Sequence, residues 1–269
     1  MAAYMSELAF LGNPVSNHVQ SAEMCNQALN SLALISARYT HMAIDIVSLM
    51  LSAYLYTLCQ ALDLRAMNEL FMQQLNPKLG NLMEETLSDA LVGESLTELK
   101  QTLWLAIAEK LAETTTMDSA ERFIEVAKSS QYHVVEALHA STASKPPADS
   151  QLFLVTSWSA RVADLLRNTF CSNRASYIAN FDASPYLGLA ANRMYNFIRK
   201  ELNIPMHRGL VDHPTLASGA SATQKKTTGT QISIIYHALR EGRLAVPIME
   251  CLKEALELRK EEGIFKAKL

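Results

Sequence analysis

The sequence is poor in the residues that interrupt helices. Among its 269 residues there are only nine glycines and eight prolines, whereas 49% of the residues are hydrophobic. Leucine, alanine and methionine are plentiful, and these residues favour helices over sheets. No pair of alternating runs flanks a hairpin-type turn, and no internal repeat is visible. The chain is therefore predicted to be all-α, and its length is sufficient for a substantial hydrophobic core.

Cysteine is also scarce, and the four that are present form no recognisable pattern. They make neither a CxxC pair nor a zinc-type spacing, so they are interpreted as reduced thiols of a cytoplasmic protein. The seven histidines show no HxxxH or HExxH spacing, and no metal site is predicted. The cysteines are Cys25, Cys59, Cys171 and Cys251.

The charge pattern does not indicate binding to a nucleic acid or a membrane. A net charge of −3 gives no electrostatic reason to bind nucleic acid or an acidic membrane surface. The N-terminus has no basic segment followed by an apolar core, so no signal peptide is predicted. Residues 46–59 form a run of fourteen residues without charge, but a spanning helix needs about twenty apolar residues. This run is interpreted as a core helix or an oligomer interface.

The first sixty residues resemble a protein interior, with only four formal charges. Within them lies a ladder of polar side chains at positions i, i+3, i+4 and i+7, a spacing that would place them on one face of a helix. Such a ladder is either a buried hydrogen-bond network that fixes helix packing or a ligand pocket in which Glu23 handles an amine or a proton. The residues alone leave both interpretations open. The ladder consists of Glu23, Asn26, Gln27 and Asn30.

The remaining sequence suggests a series of further helices. Residues 22–74 are expected to form two helical segments with a break near residues 36–39, and Asn76-Pro77 is expected to end the second. Residues 65–140 contain eighteen charges at amphipathic spacing, unlike the dry N-terminal part. Residues 140–150 form a polar loop. Later helices are predicted over residues 151–170, 184–202, 230–241 and 246–261.

Several blocks of the sequence carry a resemblance to a known family. The longest is LGNPVSNHVQSAE at residues 11–23, followed by Asn26-Gln27 and by NSLALISAR at residues 30–38. Shorter blocks are LCQALDLR at residues 58–65, YNFIRKEL at residues 195–202 and IYHALREGR at residues 235–243. Together they resemble the aromatic amino acid ammonia-lyases, and most of all the C-terminal part of fungal-type phenylalanine ammonia-lyases.

The resemblance implies a fold and a domain division. It implies a long helical bundle core with an additional helical insert layer. Residues 1–67 would form a core segment of the bundle, and residues 185–269 would supply returning core helices and the tail. Residues 68–184 would correspond to the shielding layer of eukaryotic phenylalanine ammonia-lyases, which agrees with their high charge.

The resemblance also implies a chemistry, the removal of ammonia from L-phenylalanine to give trans-cinnamate. The family's electrophile is a methylidene-imidazolone made from an internal Ala-Ser-Gly, with a tyrosine as base and an arginine that binds the substrate carboxylate. By matching position, Glu23 would lie beside the substrate amine, Asn26 would contact substrate or product, and Gln27 would steady the pocket. Asn30 is assigned a structural role.

The sequence contains one Ala-Ser-Gly, at Ala217, Ser218 and Gly219, which we interpret as a decoy. Cyclisation requires a strained, buried loop, whereas the surrounding residues have the composition of a solvated loop. In the family the precursor also comes before the segment that matches Glu23 and its neighbours in this chain. The precursor segment is therefore expected to be missing from this chain.

Two functional hypotheses follow. In the first, the chain is the C-terminal portion of a phenylalanine ammonia-lyase-like protein whose partners are L-phenylalanine or cinnamate and other subunits, either of a homo-oligomer or of a full-length lyase. The isolated chain would then be inactive. In the second, it is a non-catalytic helical oligomerisation or regulatory paralogue.

Overall fold

The computed structural model of the protein describes residues 1–29, 32–91, 93–140, 148–213 and 226–261. It consists almost entirely of helices, so the all-α prediction is confirmed. The chain divides into two compact units. One comprises Met1–Asp63 with Ala183–Leu269, which we call unit 1, and the other comprises Leu64–Asp182, which we call unit 2.

Unit 1 begins with helix α1, Ala2–Leu11, followed by a short 3₁₀ turn at Ser16–His18. Two-residue strands β1 (Ser21–Ala22) and β2 (Gln27–Ala28) then pair antiparallel, with the 3₁₀ turn Glu23–Cys25 between them. The helical segment predicted to run from residue 22 to the break near residues 36–39 is therefore wrong over residues 22–29. Short helices are marginal in water unless an apolar face is packed, and the apolar side chains of Met24 and Leu29 are exposed.

Helix α2, Ala33–Leu87, is 55 residues long and contributes to both units. It is continuous through residues 36–39 and through Pro77, so both predicted breaks are wrong. Proline removes one backbone hydrogen bond and strains the preceding turn. Packing outweighs this cost, because apolar side chains on both sides of Pro77 are almost fully buried in the core of unit 2. They include Phe71, Leu75, Leu79 and Met83.

Unit 2 is completed by three further helices: α3 (Glu94–Glu113), α4 (Ser119–Ala140) and α5 (Ala148–Ala179). Each presents an apolar stripe at helical spacing to a common core. Trp158 of α5 is fully buried there, and its indole Nε1–H donates to the buried Ser130 Oγ of α4 at 3.2 Å. Arg161 of α5 donates to Glu85 Oε2 of α2 at 2.7 Å.

The C-terminal part of unit 1 begins with a 3₁₀ turn, Ser184–Tyr186, rather than the helix predicted to start there. Helix α6, Leu189–Asn196, leads into a π-helical turn, Phe197–Glu201. After an irregular stretch and the 3₁₀ turn Gly209–Asp212, helices α7 (Thr228–Arg240) and α8 (Ala245–Glu261) follow. The last two helices confirm the sequence-based assignment.

Among the described residues, one helix, α2, is long and apolar enough to pass a test for a membrane span. Its 55 residues extend about 80 Å at the usual rise per residue, whereas a bilayer core is about 30 Å thick. The helix also carries the buried carboxylate of Asp63, and its second part lies in the core of unit 2. The apolar window that passes the test is itself 33% buried.

Candidate functional site

The segment that carries the predicted substrate residues is a small β-hairpin. Ser21 pairs with Ala28 and Ala22 pairs with Gln27. The backbone N–H of Leu29 extends the pairing by donating to the carbonyl of Gln20 at 2.7 Å. The hairpin therefore gathers the residues between positions 20 and 29 into one compact local structure just before α2.

The turn of this hairpin is held in an unusual backbone conformation. Met24 has a φ of 51° and Cys25 has a φ of 63°, so two successive non-glycine residues are left-handed. This region costs about 1–2 kcal/mol per residue for side chains with a Cβ. The backbone N–H of Asn26 donates to the carbonyl of Glu23 at 3.0 Å and closes the turn.

The structure brings Glu23, Asn26 and Gln27 together in this hairpin, but not on the face of a helix as predicted. All three are exposed in the chain. The three described members of the ladder are therefore not part of a buried hydrogen-bond network. Their assignment as substrate-binding residues stays a prediction. Asn30 lies outside the described residues.

Apolar side chains surround these polar groups and are equally open to solvent. Met24 is 90% exposed and Leu29 is 72% exposed. The exposure continues along the first half of α2, in the same region where the sequence has almost no charge. Apolar side chains exposed there are Leu34, Met42, Ile44, Val47, Leu51, Tyr54 and Leu58. Several of these side chains recur at intervals of three and four residues and so share one face of α2, and an exposed apolar face of this kind is typical of an interaction site.

Residues 217–219, the Ala-Ser-Gly of the sequence, lie outside the described residues, so its interpretation as a decoy stays a prediction. Within the described ranges, no group of three or more His, Cys, Asp or Glu side chains could hold a metal ion.

Unit 1 also contains a cleft of about 580 Å³ between helices α6 and α8. Arg193 lies in its wall and donates to Glu250 Oε2 at 2.8 Å. The other lining residues are Leu187, Leu189, Asn192, Asn196, Glu201 and Pro247. Neither Glu23 nor Asn26 nor Gln27 lines this cleft.

A buried polar network, which the sequence analysis did not single out, lies deeper in unit 1. Asp63 of α2 accepts a hydrogen bond from the Tyr195 hydroxyl at 2.5 Å and one from Arg199 Nη2 at 2.6 Å. The Tyr195 oxygen in turn accepts from the backbone N–H of Ala183 at 3.1 Å. Both oxygens of a fully buried carboxylate are thus satisfied.

Burial dominates the acid–base properties of this region. Burial and the hydrogen bond to Asp63 raise the pKa of Tyr195 above its usual range. Burial raises the pKa of the Cys59 thiol to about 11, with the charge of Arg199 acting in the opposite direction. Both groups are therefore neutral at physiological pH, and neither is activated as a nucleophile or a base.

The signal that could have located this network was present in the sequence. Residues 58–65 and 195–202 are two of the blocks that carry the family resemblance, and they contain Asp63, Tyr195 and Arg199. Helical periodicity could not connect them, because 132 and 136 residues separate the partners. The first block contains Asp63 and Arg65, and the second contains Arg199, Lys200 and Glu201, so opposite charges that could form a pair are present among apolar residues in both.

Comparison with known proteins places these observations in a family context. Residues 1–87 match the family model for aromatic amino acid lyases. The chain is 36% identical over 258 residues to a phenylalanine ammonia-lyase of Aspergillus hancockii, covering 94% of this chain and 37% of that protein. It is 32% identical over 264 residues to a phenylalanine aminomutase of Talaromyces islandicus, covering 98% of this chain and 36% of that protein.

The fold is matched as well. The crystal structure of phenylalanine ammonia-lyase from Rhodosporidium toruloides superposes with a TM-score of 0.79 at 33% identity, over 93% of this chain and 36% of that one. The chain thus spans little more than a third of the length of the relatives that it matches.

Proposed function

We propose that this chain, a relative of the aromatic amino acid lyases in sequence and fold, supplies the amine-binding part of a phenylalanine ammonia-lyase-type active site. It would be the C-terminal portion of such a protein, which removes ammonia from L-phenylalanine to give trans-cinnamate. The observation that carries the proposal is the match over 93% of the chain to a phenylalanine ammonia-lyase structure. The family resemblance predicted from the sequence is confirmed by the same comparisons.

The proposed roles follow from the chemistry of the hairpin residues. The Glu23 carboxylate would hold the substrate ammonium or accept a proton from it, because charge-assisted hydrogen bonds are the strongest available to an amine. The side-chain amide of Asn26 would contact the bound amino acid or the product. The amide of Gln27 would steady the pocket wall. All three side chains are exposed and open to a ligand in the chain.

These roles require further polypeptide. In the family a methylidene-imidazolone supplies the electrophile that makes the amino group a better leaving group. The one Ala-Ser-Gly of this chain, at residues 217–219, lies outside the described residues, and its interpretation as a decoy stays a prediction. We propose that the electrophile, the tyrosine base and the arginine that binds the substrate carboxylate come from polypeptide outside this chain.

The exposed apolar surface of α2 supports an assembly with other subunits. Side chains such as Ile44, Val47 and Tyr54 are about half exposed, which is unfavourable for an isolated helix in water. Either copies of this chain in a homo-oligomer or subunits of a full-length lyase would cover them. The proposed setting is the cytoplasm, in agreement with the reduced thiols.

The proposal is tested by comparing the isolated chain with a chimeric enzyme. In the chimera, this chain replaces the matching third of the Rhodosporidium toruloides enzyme. We expect no cinnamate absorbance from the isolated chain with L-phenylalanine, and measurable cinnamate from the chimera. A chimera that assembles to the size of the parent enzyme but forms no cinnamate would contradict the proposal.

The second candidate function is a non-catalytic subunit that pairs with a full-length lyase and modulates it. The exposed apolar side chains of α2 support this alternative to the same extent as the first, because they indicate a protein partner whether or not the chain takes part in catalysis. Co-expression with a full-length relative separates the two functions. A non-catalytic subunit would alter the rate of the full-length lyase, and Glu23→Gln in this chain would leave that effect unchanged.

A further inference from the structure

Residues 203–208, which we call the strap, run between the π-helical turn and the 3₁₀ turn Gly209–Asp212 without helical or strand structure. Burial alternates along the strap, with Ile204 and Met206 buried and Asn203 and Pro205 exposed. Such alternation is typical of a β-strand, but the one sheet among the described residues is formed by β1 and β2. The strap therefore needs other partners for its backbone groups.

Gln60 of α2 supplies two of these partners. Its Nε2 donates to the carbonyl of His207 at 2.9 Å, and its Oε1 accepts from the backbone N–H of the same residue at 2.9 Å. This reciprocal pair has the same arrangement of donors and acceptors as a ladder between two strands. The side chain thus takes the place of a neighbouring strand.

Arg199 supplies the partners for the first half of the strap. Its Nη1 donates to the carbonyl of Pro205 at 2.8 Å and to that of Ile204 at 3.2 Å. Its Nη2 is fixed by Asp63 at 2.6 Å. The guanidinium is therefore held between α2 on one side and the strap on the other.

Gln60 and Asp63 are three residues apart on α2 and share one face of the helix. Gln60 binds the strap directly, and Asp63 binds it through Arg199. We infer that Gln60, Asp63 and Arg199 form a clamp that sets the backbone path of the strap, with Gln60 and Asp63 as its positioning residues. This role goes beyond the proposed lyase function and does not depend on it.

The clamp fixes the strap immediately before a second local anchor. The backbone N–H of Arg208 donates to Asp212 Oδ2 at 2.7 Å, and Arg208 Nη2 donates to Asp212 Oδ1 at 2.6 Å. The clamp thereby determines where the Gly209–Asp212 turn begins. The competing explanation is that burial of Ile204 and Met206 alone holds the strap, with the hydrogen bonds adding nothing.

Hydrogen exchange of the His207 amide separates the two explanations. Gln60→Met keeps the length of the side chain and removes both hydrogen bonds, and Gln74→Met changes an exposed glutamine farther along the same helix. We expect exchange of the His207 amide to accelerate about tenfold or more in Gln60→Met. Exchange of amides in α4 and of this amide in Gln74→Met should remain unchanged.

A second variant keeps the test decisive if Gln60→Met does not fold. In Gln60→Glu a side-chain oxygen can still accept from the His207 N–H, but no donor remains for its carbonyl. We expect a smaller acceleration than in Gln60→Met where both fold, and an acceleration confined to the strap. An unchanged His207 rate in the variants that fold, or an equal acceleration across unit 1, would overturn the clamp.

Discussion

Asp63 and Arg199 form an ion pair 2.6 Å long in the interior of unit 1, with 0% and 2% of their side chains exposed. Removing one partner of a buried pair leaves the other charge without compensation, which costs about 3–5 kcal/mol. We therefore predict that Asp63→Asn lowers the free energy of unfolding by about this amount. Urea denaturation followed by far-ultraviolet circular dichroism measures it.

A matched control lies on the same helix. Asp45 pairs with Arg240 at 2.8 Å, but 39% and 37% of these side chains are exposed. Exposed pairs contribute about 0–1 kcal/mol, so Asp45→Asn should have little effect on unfolding. Equal losses of unfolding free energy for Asp45→Asn and Asp63→Asn would show that the buried pair contributes no more stability than the exposed one.

The second prediction concerns the core of unit 2. Ser130→Ala removes the acceptor of the buried Trp158 indole N–H. A buried donor left without a partner costs about 1–3 kcal/mol, so the free energy of unfolding should fall by this amount. Ser129→Ala is the control, because Ser129 is only partly buried and donates to the carbonyl of Val126 within its own helix. A loss no greater than that of Ser129→Ala would show that the Trp158 hydrogen bond adds no stability.

The third prediction concerns alkaline pH and Cys59. The pKa of its thiol is raised from 9.0 to about 11, so between these values the unfolded chain releases a proton that the folded chain retains. Stability is therefore lost as pH rises through this window, with a limiting slope of about 1.4 kcal/mol per pH unit from this group.

We expect Cys59→Ala to show a shallower loss of unfolding free energy between pH 9 and 10 than the unchanged protein. Cys171→Ala, at an exposed thiol, is the comparison and should retain the steeper loss. Identical slopes in the two variants would mean that the thiol of Cys59 ionises in the folded chain as it does in the unfolded one.

The sequence predicts well those parts of the fold that depend on residues close together in the chain. Helices α7 and α8 lie within a few residues of the bounds that the sequence predicts, and Gly242, with a φ of +76°, follows the end of α7. The all-α class follows from composition alone. Such features depend on neighbours in the sequence, which periodicity reports directly.

The predictions are wrong where contacts between residues far apart in the chain determine the local structure. Pro77 remains inside α2 because the core of unit 2 covers that part of the helix. The spacing of Glu23, Asn26 and Gln27 fits a helix, but nothing in the described part of the chain buries the neighbouring apolar side chains, such as those of Met24 and Leu29. The clamp was missed because Gln60 and His207 are 147 residues apart. The local sequence pattern contains no information on partners that lie so far apart in the chain.

The measurement that tests the central claim most directly is cinnamate formation by the chimeric enzyme with Glu23→Gln. The control is Glu7→Gln, which changes an exposed carboxylate in α1. If Glu23 binds the substrate amine, Glu23→Gln should lower kcat/KM for L-phenylalanine about a hundredfold or more, and Glu7→Gln should leave it unchanged. Equal kcat/KM values for the two variants, at the same state of assembly, would contradict the assignment.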